Sequence, residues 1–246
     1  MRFRAAILAV IISLSFLSAH AQDADAIAHR AIDVLAGPAW EKARYFAFAF
    51  NVERGGKIAS SFPQRWDRYT GEYRVSGRDA KGEEFLVIMN VNTKTGRAWK
   101  NGVEVPDPKE LLTTGYGRFI NDTYWLLMPL KSLDPGVTRE AAGERTDACG
   151  RVYDLVKLSF GDGVGLTPKD LYWMWVNRDT GLVDQWDMKL QSAKPEDEPT
   201  PILFHDYRRF GGVLLSTKRE IKGRPQRILF DDITVASEVP KGAFTR

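Results

Sequence analysis

Phe46-Ala47-Phe48-Ala49-Phe50-Asn51-Val52, closed by Arg54-Gly55-Gly56, alternates large apolar residues with small or polar ones. Successive side chains of an extended chain point to opposite faces, so this period of two predicts a strand with aromatics on one face and a tight turn after it. Further strands are predicted at 58–69, 72–76, 84–91, 97–99 and 103–105, separated by Thr70-Gly71, Lys81-Gly82, Thr95-Gly96 and Asn101-Gly102. Connections this short join antiparallel neighbours. Pro63 lacks a backbone donor, which predicts a sheet edge or a bulge at that point.

Pro106-Asp107-Pro108 ends the strand pattern, and apolar residues from Leu111 to Met128 then recur at helical spacing. Gly115 and Gly117 predict a division of this helix in two, and Pro129 and Pro135 its end. Strands resume at 152–160, 171–176, 182–190, 213–220 and 226–236, with 192–201 as a proline-rich surface loop. Nearer the N-terminus, Ala26, Ile27, Ala31, Ile32 and Leu35 predict a helix ended by Gly37-Pro38. Together these elements predict an α+β fold, with ten or eleven strands in one large antiparallel sheet that curls.

The chain of 246 residues is 43% hydrophobic and 27% charged, which excludes a disordered or fibrous protein. Arg2 and Arg4 precede the apolar run Ala5–Leu17 and the small-residue site Ala19-His20-Ala21, the pattern of a secretory signal peptide cleaved near Ala21. Residues 1–21 are therefore expected to be removed, leaving 22–246 as a single periplasmic or secreted domain. Loss of two arginines lowers the formal charge from +3 to +1. A near-neutral chain without a Lys/Arg block does not suit nucleic acid, and no second hydrophobic run follows to span a membrane. Cys149 is the one cysteine, so no disulfide forms within the chain.

Catalytic motifs are scarce. The chain beyond residue 21 has two histidines, His29 and His205, and lacks the spacings of zincins, zinc ribbons, nucleophile elbows and phosphate-binding loops. His205 with Asp206, or with Asp170, beside a serine is the remaining hydrolase arrangement, although neighbours in a strand point to opposite faces. The glycine-rich segment 161–170 carries two acids without the alternation of an EF-hand, and reads as a hairpin loop. Asn121-Asp122-Thr123 matches a glycosylation acceptor but falls within the predicted helix. No catalytic residue, metal or cofactor is expected.

The informative feature is aromatic. Trp66, Trp99, Trp125, Trp173, Trp175 and Trp186, with many Tyr and Phe, are spread over nearly every predicted strand and the central helix. Such rings fill a core, or on the concave face of a curled sheet they line a cavity for aliphatic ligands. Leu171-Tyr-Trp-Met-Trp-Val176 is apolar on both faces, so periodicity does not choose between them.

The signal peptide, the N-terminal helix, the aromatic strands, Tyr124-Trp-Leu-Leu-Met-Pro129, the hairpin Trp175-Val-Asn-Arg-Asp-Thr-Gly-Leu182 and the ending Ile228-Leu-Phe-Asp-Asp-Ile-Thr-Val235 with Val239-Pro240 and Phe244 together resemble the LolA-like superfamily. The likeness is to its secreted members more than to the shorter dedicated lipoprotein carrier. It implies an incomplete, half-open antiparallel β-barrel whose helices cover an apolar cavity for acyl chains. The expected function is then non-enzymatic binding of a lipid or lipoprotein in the periplasm, with an envelope protein as a further partner. The expected cavity residues are Phe48, Phe50, Trp66, Met89, Trp99, Trp125, Met128, Trp173, Trp175 and Trp186. A secreted hydrolase and a cell-envelope scaffold with a filled barrel are the competing expectations.

Overall fold

The computed structural model describes residues 23–246, and the expected signal peptide lies outside the described residues. Helix α1 (Ala24–Leu35) starts at Asp23, whose carboxylate accepts from the Asp25 N–H at 3.1 Å. Its buried stripe is Ala24, Ile27, Ala28, Ala31 and Leu35. Of the expected stripe, Ile27, Ala31 and Leu35 are buried, Ile32 is half-buried and Ala26 is exposed, with Ala24 and Ala28 buried in addition. A short helix α2 (Ala39–Lys42) leads into the sheet.

Six strands follow in sequence: β1 (Tyr45–Arg54), β2 (Lys57–Asp67), β3 (Glu72–Arg78), β4 (Glu84–Asn90), β5 (Thr95–Lys100) and β6 (Val103–Glu104). Helix α3 (Lys109–Leu127) and a 3₁₀ turn (Met128–Lys131) come next. The chain then forms β7 (Val137–Thr146), β8 (Val152–Phe160), β9 (Leu171–Asn177), β10 (Val183–Lys189), β11 (Thr200–Phe210), β12 (Val213–Ile221) and β13 (Gln226–Ala236). All lie in one antiparallel sheet of 13 strands, ordered β6-β5-β4-β3-β2-β1-β13-β12-β11-β10-β9-β8-β7. Strands β6 and β7 are its two free edges, so the barrel is open. Helix α3 connects these edges and packs on β3, β4, β5 and β12, while α1 lies on β7, β8 and β12.

Two strands exceed the expected number. Strand β7 carries Thr138, Arg139, Glu140, Glu144 and Arg145, the charged composition that protects an edge from pairing with other chains, and it lacks an apolar face. Strand β11 is broken in period at Asp206, which adopts φ +55°, and it begins inside the stretch expected to be loop. Pro63 is in an interior strand and not at an edge. It faces Ala49 of β1, and β3 pairs with β2 only over Gln64–Trp66, so the missing N–H falls beside an unpaired stretch.

The expected division of the central helix also needs correction. Helix α3 runs unbroken through both glycines. Each costs about 1 kcal/mol relative to alanine in a helix, less than the packing of this long element contributes. Gly115 has a steric purpose: a Cβ there would stand 2.8 Å from Val87 Cγ1 on β4, so the glycine lets helix and sheet approach closely. A Cβ on Gly117 would meet nothing within 4 Å. Gly117→Ala is therefore expected to stabilise the protein by about 0.5–1 kcal/mol. Gly115→Ala should destabilise it by about 1 kcal/mol or more through overpacking. Urea unfolding of the two variants checks the opposite signs.

Candidate functional site

Alternation assigns the inner face of the sheet. Phe46, Phe48 and Phe50 of β1 pack with Trp66, Tyr73, Val75, Phe85, Val87, Met89 and Phe230 in one cluster under α3. Val156, Leu158, Tyr172, Met174, Val176, Trp186, Ile202 and Phe204 form a second cluster, beneath α1 and the 3₁₀ turn that contains Met128. Phe48, Phe50, Trp66 and Met89 are thus inner-face residues packed against other side chains, and Met128 of the 3₁₀ turn is buried in the second cluster.

Two polar groups hold α3 against these clusters. Asp122 is fully buried and receives hydrogen bonds from Gln64 Nε2 and from Arg118 Nε at 2.9 Å, while Tyr73 donates to Gln64 Oε1 at 2.5 Å. Burial lifts the Asp122 carboxyl to about 6, against the opposing pull of Arg118, Asn121 and Gln64. Nearer the helix end, Arg219 of β12 is 1% exposed and donates from Nη2 to the carbonyl of Trp125 at 3.1 Å and from Nη1 to that of Ser216 at 2.8 Å. A cation at the last carbonyls of a helix satisfies groups that have no partner within the helix and opposes the negative end of its dipole. The guanidinium also lies 3.8 Å from the Phe204 ring centroid. Desolvation lowers its pKa to about 9, so it stays charged at neutral pH.

Beside the second half of α3 the interior is hollow. A cavity of about 470 Å³ lies between Phe119, Ile120, Thr123 and Tyr124 of α3, the inner residues Phe160, Tyr172, Trp186 and Met188 of β8–β10, and the loop residues Val164, Leu166 and Thr167. This volume is within the range of about 300–1,000 Å³ usual for small-molecule sites. Its floor is a cluster of rings: Trp186 is 5.0 Å from Tyr172, 5.1 Å from Trp125 and 5.7 Å from Tyr124, centroid to centroid. Leu166 and Leu190 line it and are also exposed, at 55% and 42%, so an apolar rim continues to the surface.

Of the residues expected to form a cavity wall, Trp125 and Trp186 line this space. Trp173 and Trp175 do not, and their expected position needs correction. Along β9 the alternating residues Tyr172, Met174 and Val176 are buried, with Asn177 buried at the strand's end, so the two tryptophans stand on the opposite, outer face. There Trp175 stacks edge-on with Tyr153 at 5.6 Å and donates from Nε1 to Asp187 at 2.8 Å. Trp99 is on the outer face too, because its neighbour Ala98 is the residue paired with inner Val87. It is 4% exposed, with Arg97 5.1 Å from its ring centroid. Phe119, Ile120, Tyr124, Tyr172 and loop 164–167 are wall residues missed by sequence reasoning. The signal that points to them is the helical stripe Phe119, Ile120, Thr123 and Tyr124, just before Trp125.

The hydrolase arrangement is not assembled. His205 Nε2 is 3.6 Å from Glu220 Oε2, Asp206 is exposed, and Ser216 Oγ donates to the carbonyl of His205 and not to its ring. Asp170 accepts from Tyr172 OH at 2.8 Å, Thr167 Oγ1 at 2.7 Å and the Gln191 N–H at 2.8 Å. Among the described residues, no three His, Cys, Asp or Glu side chains converge as a cation site, and no helix is long and apolar enough to cross a membrane.

No protein-family model and no curated protein matches the chain. Solved structures do. A LolA superfamily protein from Nitrosomonas europaea is 10% identical with a TM-score of 0.53, and covers 91% of this chain and 97% of its own. The fold is LolA-like. A DUF1329 family protein from Desulfovibrio piger, 14% identical with a TM-score of 0.50 over the same shares of the two chains, has it as well. In this LolA-like sheet the long helix between the free edges forms the inner wall of the cavity.

The raised Asp122 carboxyl has a consequence for pH dependence. Between about pH 4 and about pH 6 the folded state holds a proton that the unfolded chain has released, so this group makes stability fall as pH rises through that window. Asp122→Asn is expected to remove that part of the slope. Denaturation midpoints of the two proteins at about pH 4.5 and about pH 7.5 should therefore differ by unequal amounts, with the variant relatively better at the higher pH.

Proposed function

We propose that this is an exported, non-catalytic binding protein that shelters the acyl chains of a lipid or lipoprotein in the cavity beside α3. The observation that carries the reading is the cavity itself: a space of about 470 Å³ with a floor of rings and a rim of exposed leucines. Each methylene moved from water into such a wall contributes about 0.8 kcal/mol, so a short hydrocarbon chain binds without specific polar contacts. Export is supported by the Arg2/Arg4, Ala5–Leu17 and Ala19-His20-Ala21 pattern, with the working chain starting near Gln22. The LolA-like fold agrees with this reading without proving it, since function resides in sites and not in folds. Donor and acceptor would be lipid surfaces or envelope proteins, which the exposed Leu166 rim suits.

Titration of residues 22–246 with a fluorescent acyl probe tests the proposal. Saturable binding is expected near one probe per chain. Leu166→Asp, at an exposed position, should weaken it about tenfold with little loss of stability, and Ile120→Trp should weaken it by filling the cavity. Absence of saturable binding, or equal binding by both variants when folded, contradicts the proposal.

A further inference from the structure

The walls of the cavity are not uniformly apolar. Tyr172 and Thr167 both donate to the same oxygen of Asp170, at 2.8 and 2.7 Å, and Asp170 is 2% exposed. The Tyr124 ring lies 5.6 Å from that of Tyr172. Burial and the nearby Tyr172, Asp134 and Asp170 push the Tyr124 hydroxyl well above its ordinary pKa, so it stays protonated. Asp134, also in the wall, pairs with Lys131, the one cation among the lining residues. Lys169 stands nearby in sequence, but it is exposed and its charge is screened by water.

The lining thus carries two carboxylates and one ammonium. One carboxylate is compensated by Lys131. The other, Asp170, is held by neutral donors alone, so the cavity keeps a net negative charge behind partly buried walls. A charge placed there acts through a lower effective dielectric than in bulk water.

Resting on the acyl-chain reading above, we infer that this cavity selects amphiphiles whose head is not anionic and donates hydrogen bonds or positive charge, such as an amide or an ammonium, over fatty-acid carboxylates. A carboxylate head would face Asp170 and Asp134 with no free cation to receive it. An amide or ammonium head meets carboxylate and phenol oxygens that can accept or attract it.

The test is displacement of an uncharged apolar dye from residues 22–246 at about pH 7.5, by lauramide, lauryltrimethylammonium and laurate, each below its micelle concentration. The amide and the ammonium are expected to displace the dye at concentrations at least about tenfold lower than laurate. Asp170→Asn should narrow that ratio. Because Asp170 also orders its own loop, Asp134→Asn serves as a second variant: it releases Lys131, and it too should narrow the ratio. Laurate binding as tightly as the amide, or a ratio unchanged in both folded variants, overturns the inference while leaving the acyl-chain reading intact. Failure of all three compounds to displace the dye overturns both.

Discussion

Helix α3 has to cross the open side of the sheet, because it joins the two strands that end it. The sheet order places β6 and β7 at opposite edges, and α3 is the connection between them. The first core cluster is consequently packed against this helix, and the second lies beneath α1 and the 3₁₀ turn that follows α3. Its first half lies close to the sheet, as Gly115 against Val87 permits. Its end is fastened by Arg219, which reaches the Trp125 carbonyl from β12. Removing the arginine would leave buried helix carbonyls without donors, at about 1–3 kcal/mol for each group left unsatisfied.

The same crossing explains why the core falls into two clusters. The aromatic inner faces of β1–β5 fit under the near half of α3, and α1 fills the space over β8–β12 up to the 3₁₀ turn. Between the second half of α3, the ends of β8–β10 and the loop after β8, the side chains of α3 line the space without filling it and no α1 residue enters its wall, so the hollow remains. In its wall the rings of Tyr124, Tyr172 and Trp186 pack against one another. Its rim is the loop containing Leu166, the part of the wall best able to move without disturbing the sheet.

The antiparallel sheet was legible in the sequence wherever one face is apolar and the turns are short, as from Phe46 to Val105. It was not legible in β7, whose edge position calls for charge, or in β11, where Asp206 interrupts the period. The continuity of α3 was hidden because local propensity at Gly115 and Gly117 is overridden by packing. For the candidate site, sequence pointed to tryptophans as a class, but the side of the sheet each one faces depends on register. Trp186 reaches the cavity from the inner face of β10, whereas the strand residues Trp99, Trp173 and Trp175 have the opposite parity; Trp125 enters from helix α3. Asp170 and loop 164–167 carry no periodic signal, and they enter the wall only through the tertiary fold.

That division between inner and outer tryptophans makes the central claim directly measurable. In an NMR spectrum of the labelled protein, an acyl amide carrying a nitroxide on its chain should broaden the indole N–H signals of Trp125 and Trp186. The signals of Trp99, Trp173 and Trp175, on the far side of the sheet, should broaden less. Broadening of the outer-face indoles in place of the inner pair, or of none at saturating amide, would contradict a hydrocarbon chain lodged beside α3.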